Sequence, residues 1–365
     1  MAAGDDSPFS QSYAQARQKF WRACEDHRLD VEQHVHPMLG RDGEVLALDV
    51  CREGPPDARQ VFILSSGCHG VEGYAGSGIQ VAMLRDAEWH AAVRESGVAV
   101  LYLHALNPYG FSWARRVTHE NIDLNRNFID FSAPLPRNDD YDSLHAFLVP
   151  REWPPSPEVE QRLAAYAAEH GMAAFQSAVS RGQYTHEDGM FFGGHNPSWS
   201  NQTLRHVLRE HNRHTQDLAW VDLHTGLGPV GYGERIFASH EDTEALARTR
   251  AWWGPAVTST YEGTSTSAML TGALWISAFE ECPQARYTGI ALEYGTVPLQ
   301  DMLNAVRAEH WLDNHPETPP AQAATIKRQL HDAFFVDTDD WRASLVEQAR
   351  EASLQALRGL TGKSS

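Results

Sequence analysis

Four short apolar runs in this chain end in the same way, with a cluster of polar residues and a nearby glycine. Each run is rich in β-branched or aromatic residues, which is typical of a buried strand. The segment YAGSGIQVAMLRDAEWHAAV between the first two predicts a helix, and the order strand, helix, strand predicts a parallel crossover. Parallel strands end at one edge of a sheet, where open α/β sheets bind ligands, so we expect an α/β fold with a site at that edge. The runs are QVFILSSG (60–67), VAVLYLHALNP (98–108), LAWVDLHTG (218–226) and TGIALEYGT (288–296).

The composition is that of a folded, acidic protein. The 365 residues are 42% hydrophobic, and the net charge of −18 is spread along the chain without a basic stripe, which argues against nucleic acid as a partner. The start, MAAGDDSPFSQSY, lacks the features of a secretory signal, and no apolar run approaches a membrane span, so we expect a cytoplasmic protein with no membrane partner. The four cysteines show no C-x-x-C pairing, so any metal would be held by histidine and carboxylate.

No internal repeat, low-complexity tract or linker divides the chain. We therefore predict a single domain over 1–365, with a long insertion at about 129–217 and a helical C-terminal extension at about 320–360. Outside the four runs, the patterns predict helices over about 10–28 and 156–179 and a further strand at 44–51.

The stretch SSGCHGVEGYAG places His69 and Glu72 three residues apart in a glycine-rich loop after a predicted strand. Alone, such a pair is equally typical of a plain turn. His224, in DLHTG, stands at a second predicted strand end, and two histidines with one carboxylate form a familiar open zinc set whose fourth position is left to water. Asp222, two residues earlier, either hydrogen-bonds a ligand or caps the strand. Cys68 has no base at a suitable spacing and is interpreted as a bystander.

The segment NPYGFSWARRVTHENIDLNRNF (107–128) interleaves arginines with large apolar residues. This pattern indicates partial burial, and buried arginines require anionic partners. A substrate carboxylate would serve as that partner, and so would a protein carboxylate such as Asp123.

Glu293 follows the apolar residues of the strand GIAL. A glutamate at the edge of a metal site can take a proton from water and deliver it to a leaving nitrogen. The alternative is a strand-end glutamate paired with a lysine or arginine.

The motifs HGVE, NPYG followed by RR and DLNRNF, DLHTG and LEYGT, in this order, resemble the zinc carboxypeptidase superfamily. That group includes aspartoacylase and succinylglutamate desuccinylase relatives, and the chain looks most similar to a bacterial branch of it. The resemblance covers about residues 46–296. It implies a mixed, mostly parallel sheet of about eight strands sandwiched by helices.

The resemblance also implies roles for individual residues. His69, Glu72 and His224 would bind one zinc ion, and Glu293 would be the general base and acid. Arg116, in preference to Arg115, would polarise the scissile carbonyl. Asn125 and Arg126 would hold the substrate's terminal carboxylate, with Arg115 as a further substrate-binding candidate. The tyrosine that the carboxypeptidases place over the substrate has three candidates here, which are Tyr232, Tyr261 and Tyr287.

Together these patterns predict a zinc-dependent hydrolase of amide bonds, foremost a carboxypeptidase-type metallopeptidase acting on a small peptide. An N-acyl amino acid deacylase of the aspartoacylase type, or an esterase, would use the same residues. From a different class, a binding protein could keep the fold without turnover, although the loss of a ligand or base expected for it is not seen in the sequence.

Overall fold

A computed structural model of the protein describes residues 6–362. Its centre is one mixed sheet of seven strands. The strands are β1 (Val31–Leu39), β2 (Val45–Glu53), β3 (Gln60–Ser65), β4 (Ala99–His104), β5 (Asp217–Val230), β6 (Gly233–Phe237) and β7 (Arg286–Gly295).

Thirteen α-helices within residues 6–362 surround the sheet. None of them is long and apolar enough to cross a membrane. They are α1 (Tyr13–Asp26), α2 (Gly73–Leu84), α3 (Ala87–Ser96), α4 (Pro108–Ser112), α5 (Asp139–Leu148), α6 (Pro157–His170), α7 (Met172–Ser180), α8 (Trp199–His211), α9 (Thr243–Trp253), α10 (Ile276–Glu281), α11 (Leu299–Asp313), α12 (Pro320–Phe334) and α13 (Asp339–Thr361).

The strand order is β1-β2-β4-β3-β5-β7-β6. The four central strands β4, β3, β5 and β7 run parallel, and the flanking pairings β1–β2, β2–β4 and β6–β7 are antiparallel. The predicted α/β class is confirmed, with seven strands where about eight were expected. The sequence patterns missed β1 and β6 because neither contains a continuous apolar run: β1 (VEQHVHPML) is largely exposed, and β6 (GERIF) is short and carries Glu234 and Arg235, although most of its residues are buried.

Alternate residues of the central strands pack into two separate core layers, one on each face of the sheet. Phe62 and Leu64 of β3 face the layer that contains α1, α2 and α13, whereas Val61 and Ile63 face the layer that contains α8 and α10. This alternation follows from the two-residue period of a strand. The helices therefore cover both faces of the sheet, as the sequence predicted.

Two tracts predicted as single helices are each divided in two. Gly171 separates α6 from α7 with φ of 87°, a conformation that glycine adopts without a Cβ penalty. Asp86 separates α2 from α3, and its carboxylate accepts a hydrogen bond from the backbone N–H of Glu88. The division into one domain over 1–365 stays a prediction, and its residues 1–5 and 363–365 lie outside the described range.

Candidate metal centre

The carboxyl edge of the parallel strands brings His224 and Glu293 side by side. β3 ends at Ser65, opposite Asp222, while β5 continues beyond it, so that His224 projects past the end of its neighbour. In the parallel register of β5 and β7, His224 is paired with Glu293. Because paired residues of a parallel ladder point to the same face, both side chains lie over the same end of the sheet.

His69 and Glu72 reach the same edge through the loop that follows β3. A single 3₁₀ turn, Gly70–Glu72, connects this loop to α2. A Cβ at Gly70 would lie 2.0 Å from the backbone carbon of Gly110, so only glycine allows the two segments to approach this closely. The glycine in HGVE is therefore a packing requirement of the loop that carries both predicted ligands.

The three predicted ligands converge. His69 Nδ1 lies 2.8 Å from Glu72 Oε1, and His224 Nδ1 lies 3.1 Å from Glu72 Oε2. One ligand atom from each residue falls within 4.8 Å of the others, and all three side chains are buried. Two imidazole nitrogens and a carboxylate facing one point form a donor set suited to Zn²⁺, so the residues fit the metal that the sequence predicts.

Each histidine also has a carboxylate behind it. Asp222 Oδ2 lies 2.6 Å from His224 Nε2, and Asp123 Oδ1 lies 3.2 Å from His69 Nε2. Asp222 in turn accepts a hydrogen bond from the Ser65 hydroxyl at 2.5 Å. Asp222 in this position holds a proton on Nε2 of His224 and leaves Nδ1 free to bind a metal. Nε2 of His69 faces two groups, because Arg116 Nη2, a donor, lies 2.8 Å from it, closer than Asp123. The sequence patterns indicated this role as one alternative for Asp222, but gave Asp123 no role toward a ligand.

The charges of the cluster shift the pKa values of its members. Burial raises the pKa of Glu72, but the neighbouring His69 and His224 outweigh it, and the net effect is a lowered pKa. Burial lowers the pKa of His224, and Asp222 reverses that shift, so the pKa ends well above its usual range. Glu72 is therefore an anion, which is the form a metal ligand requires.

Glu293 differs from Glu72 in the direction in which its pKa is shifted. Burial, reinforced by the negative charge of Glu72, raises its pKa to about 8. Its Oε1 accepts a hydrogen bond from the backbone N–H of Leu227 at 3.0 Å, and no lysine or arginine forms an ion pair with it within residues 6–362. Two carboxylates with pKa values pushed in opposite directions are typical of sites that divide ligand and acid/base roles.

The adjacent arginines point in opposite directions. The N–H groups of Gly70 and Val71 donate to the carbonyls of Arg116 and Arg115, which joins the two loops along their backbones. Arg116 donates to Glu72 Oε1 at 3.1 Å and to Asp123 Oδ2 at 3.0 Å, and its side chain lines the cavity described below.

Arg115 faces away from the cluster. It contacts Glu309 at 2.8 Å and Asp313 at 2.8 Å, both in α11. The structure does not bring Arg115 to the cavity, because two carboxylates of α11 satisfy its charge elsewhere. The sequence expectation of Arg115 at the substrate is therefore not supported by its position.

Asn125 and Arg126 both line the cavity. The Asn125 side-chain oxygen accepts a hydrogen bond from the Leu274 N–H at 2.8 Å. The Arg126 guanidinium donates from Nε to the Ser180 carbonyl at 2.9 Å and from Nη1 to the Asn125 carbonyl at 2.8 Å. Burial lowers its pKa, and the nearest carboxylate oxygen that pairs with it, on Asp123, is 3.8 Å away. Arg126 thus has the environment of a buried cation that is only partly neutralised.

Phe191, in the insertion, contacts both arginines, and the sequence patterns gave it no role. The guanidinium carbons lie 5.2 Å (Arg116) and 5.5 Å (Arg126) from the centre of its ring. Its backbone φ is 53°, a conformation that is uncommon for a non-glycine residue. The ring restricts both guanidinium groups and holds them beside the cluster.

The cluster opens into a cavity of about 1060 Å³, counting its mouth. Of the three tyrosines considered from the sequence, Tyr261 lines this cavity, and its hydroxyl donates to the Ser239 carbonyl at 3.1 Å. Tyr232 is exposed, and Tyr287 is buried in the core layer of α8 and α10.

The fold and the cluster define the class: an α/β protein with a candidate metal centre at the carboxyl edge of its parallel strands. The chain belongs to the family described as protein of unknown function (DUF2817), whose profile matches residues 9–348. No curated protein matches the chain.

The chain is also similar to several solved structures. It is 13% identical to thrombin activatable fibrinolysis inhibitor (TAFI), with 91% of this chain and 79% of that chain covered and a TM-score of 0.47. It is 11% identical to the carboxypeptidase A from Helicoverpa armigera, covering 88% and 74%, with a TM-score of 0.41. It is 13% identical to the ectoine utilization protein EutE (DoeB) from Ruegeria pomeroyi, covering 83% and 66%, with a TM-score of 0.37. A carboxypeptidase A is therefore among the structures to which this chain is similar.

Proposed function

We propose that this protein is a zinc-dependent hydrolase of amide bonds in small substrates. The observation that carries the proposal is the convergence of His69, Glu72 and His224 on one point, with Glu293 on the neighbouring strand of the same sheet edge. When bound there, Zn²⁺ would act as a Lewis acid toward a carbonyl oxygen and would acidify water.

Glu293 would be the general base and then the general acid. Its carboxylate opens into the cavity beside the ligands, and burial gives it a pKa of about 8, which is close enough to neutrality for it to take up and release a proton. Glu293 would take a proton from the attacking water and deliver it to the departing amine nitrogen. The Leu227 N–H holds one carboxylate oxygen in place throughout.

Arg116 would stabilise the negative charge that develops on the carbonyl oxygen. Its guanidinium lies within hydrogen-bonding distance of the ligand Glu72, and so it lies next to the position of the reacting carbonyl. Arg126, with Asn125 beside it, would bind a carboxylate of the substrate, since it is a buried cation that pairs only weakly with Asp123.

Two versions of this activity share the same residues. A carboxypeptidase would cleave the last peptide bond of a small peptide, and an N-acyl amino acid deacylase would cleave an acyl amide. Both place a carboxylate next to the scissile bond, as the position of Arg126 requires. We favour the carboxypeptidase version on the motif order, and an assay of blocked dipeptides against N-acyl amino acids separates the two.

The proposal is tested with zinc-loaded protein and the Glu293→Gln variant. We expect one zinc per chain in both proteins, and a loss of turnover of at least about 100-fold in the variant, because glutamine can neither accept nor deliver the proton. His69→Ala should lose the metal as well as the activity. If Glu293→Gln binds one zinc per chain and keeps its turnover, Glu293 is not the base. If His69→Ala binds no zinc but is as active as the wild type, the reaction does not depend on the metal.

A further inference from the structure

The charged residues that line the cavity form a single connected group. Among the described residues that line it, His69, Glu72, Arg116 and His224 contact one another, Glu293 is paired with His224 across the strands, and Arg126 shares the ring of Phe191 with Arg116. Every other lining side chain is uncharged. The rest of the cavity therefore offers no ion-pair partner for a charged group of a ligand.

Two largely apolar walls form part of the remainder of the cavity, and uncharged polar side chains such as Gln176, Ser239 and Thr260 line the rest. One wall is contributed by β6 and the segment 267–275, which includes Ile236, Leu270 and Trp275. The other is contributed by the first turns of α11 through Leu299, Met302 and Leu303. A charged side chain placed between these walls would lose its hydration without gaining an ion-pair partner, which is strongly unfavourable.

The first wall is held in place by a buried acid. Glu234, on β6, accepts hydrogen bonds from the Thr258 hydroxyl at 2.5 Å and from the Thr266 N–H at 3.1 Å. The carbonyl of Thr266 also accepts a hydrogen bond from the Gln176 side chain of α7 at 2.8 Å. These contacts fix the segment that leads into Leu270 before any ligand binds, so the cavity selects its ligand by a shape and polarity already present.

We propose that the substrate carries a bulky, uncharged apolar group, which lies between these two walls while its scissile amide lies at the metal centre. This inference rests on the proposed function and names its substrate class. A small substituent would not reach both walls and would forfeit the contacts that their apolar side chains provide. Met302 and Leu270, one on each wall, are assigned as residues that determine this specificity.

The experiment measures binding and turnover separately. Zinc-loaded Glu293→Gln protein is titrated calorimetrically with N-acetyl-L-phenylalanine, N-acetyl-L-leucine, N-acetyl-L-glutamate and N-acetyl-L-lysine. Wild-type protein is assayed with the same four compounds and with blocked dipeptides that carry the same side chains at the carboxyl end. We expect the phenylalanine and leucine compounds to exceed the charged ones by at least about 100-fold in affinity and in kcat/KM.

Variants in the walls test where the selection is made. Met302→Glu and Leu270→Glu should each reduce the preference for phenylalanine over lysine by about tenfold or more, whereas Met302→Leu should keep it within about threefold. Circular dichroism verifies that each variant is folded. Because the two positions lie on different walls, the test remains possible if one of the variants does not fold.

The outcomes separate this inference from the proposed function. Apolar compounds that bind preferentially but are not hydrolysed by the wild type would support the inference and refute the hydrolase. Hydrolysis with equal or better use of the charged compounds would refute the inference and leave the hydrolase in place. A preference unchanged by both glutamate substitutions would refute the assignment of the two walls.

Discussion

The carboxylate behind His224 offers a sharp test of the metal centre. Replacing Asp222 by asparagine keeps the shape of the side chain but removes the group that accepts the Nε2–H of His224 at 2.6 Å. The Ser65 hydroxyl donates to Asp222 Oδ1, so the amide oxygen of asparagine is held on that side and its NH₂ group faces the imidazole. Two donors then oppose each other unless the ring proton moves to Nδ1, the nitrogen that faces Glu72.

A proton on Nδ1 blocks the lone pair that would bind zinc. Loss of such a carboxylate typically weakens metal binding by about 10- to 100-fold, which corresponds to about 1.4 to 2.8 kcal/mol. Both groups are buried, and solvent offers little compensation, so we expect a value near the upper end. The measurement is competition for zinc against a chelator of known affinity, at pH 7.5.

Two further variants serve as controls for this measurement of zinc affinity. Ser65→Ala removes the hydroxyl that donates to Asp222 and accepts from Trp220 Nε1 at 2.7 Å, but leaves the carboxylate in place, so it should weaken zinc binding by less than about tenfold. Asp123→Asn changes the carboxylate near His69, and because Asp123 also pairs with Arg116 at 3.0 Å, this variant should lower the free energy of unfolding as well as affect zinc binding. If Asp222→Asn lowers the melting temperature but binds zinc as tightly as the wild type, the carboxylate supports the fold and has no part in preparing the histidine.

Further predictions concern the neighbouring arginines, the carboxylate of α11 and the ligand loop. Arg116→Gln should reduce kcat/KM by at least about 100-fold in a folded protein, whereas Arg115→Gln should leave the cavity intact and lower the free energy of unfolding by about 3 kcal/mol, as urea denaturation would show. Burial raises the pKa of Glu309, but Arg115 and then Lys327 outweigh it and lower the pKa from 4.5 to about 2. The resulting stability is complete above pH 4.5 and disappears as the pH falls toward 2, so between pH 5 and pH 3 the wild type should lose about 2 kcal/mol more than Glu309→Gln. Gly70→Ala should lower the free energy of unfolding by about 3 kcal/mol and also weaken zinc binding, because the added Cβ would displace the ligand loop. An unchanged free energy of unfolding and unchanged zinc affinity would show that this loop tolerates the change.

Much of the fold follows from local patterns. The four apolar runs correspond to β3, β4, β5 and β7, the parallel centre of the sheet, because strands buried on both faces carry the strongest sequence signal. β1 and β6 were not predicted because polar residues interrupt their apolar pattern, in β1 on an exposed strand and in β6 at Glu234 and Arg235. The break between α6 and α7 was not predicted, because both segments have a helical pattern and only the positive φ of Gly171 separates them.

The sequence by itself determined which residues could carry the chemistry. His69, Glu72, His224 and Glu293 follow apolar runs, and polar residues at the ends of buried strands have few structural reasons to be there. The tertiary structure decided how they are used. The register that pairs His224 with Glu293 joins strands about seventy residues apart, and such non-local pairing leaves no periodic trace in the sequence.

The same distinction separates the two arginines and reveals the carboxylate that the sequence patterns overlooked. Arg115 and Arg116 cannot be distinguished by their positions in the sequence. In the structure, the pairing of their loop with Gly70 and Val71 directs Arg115 toward α11 and Arg116 toward the cavity. Asp123 is one charge among several in DLNRNF until the fold places it behind His69. Composition and spacing select the kinds of residue at a site, whereas direction and distance, on which coordination and proton transfer depend, arise only when distant segments pack together.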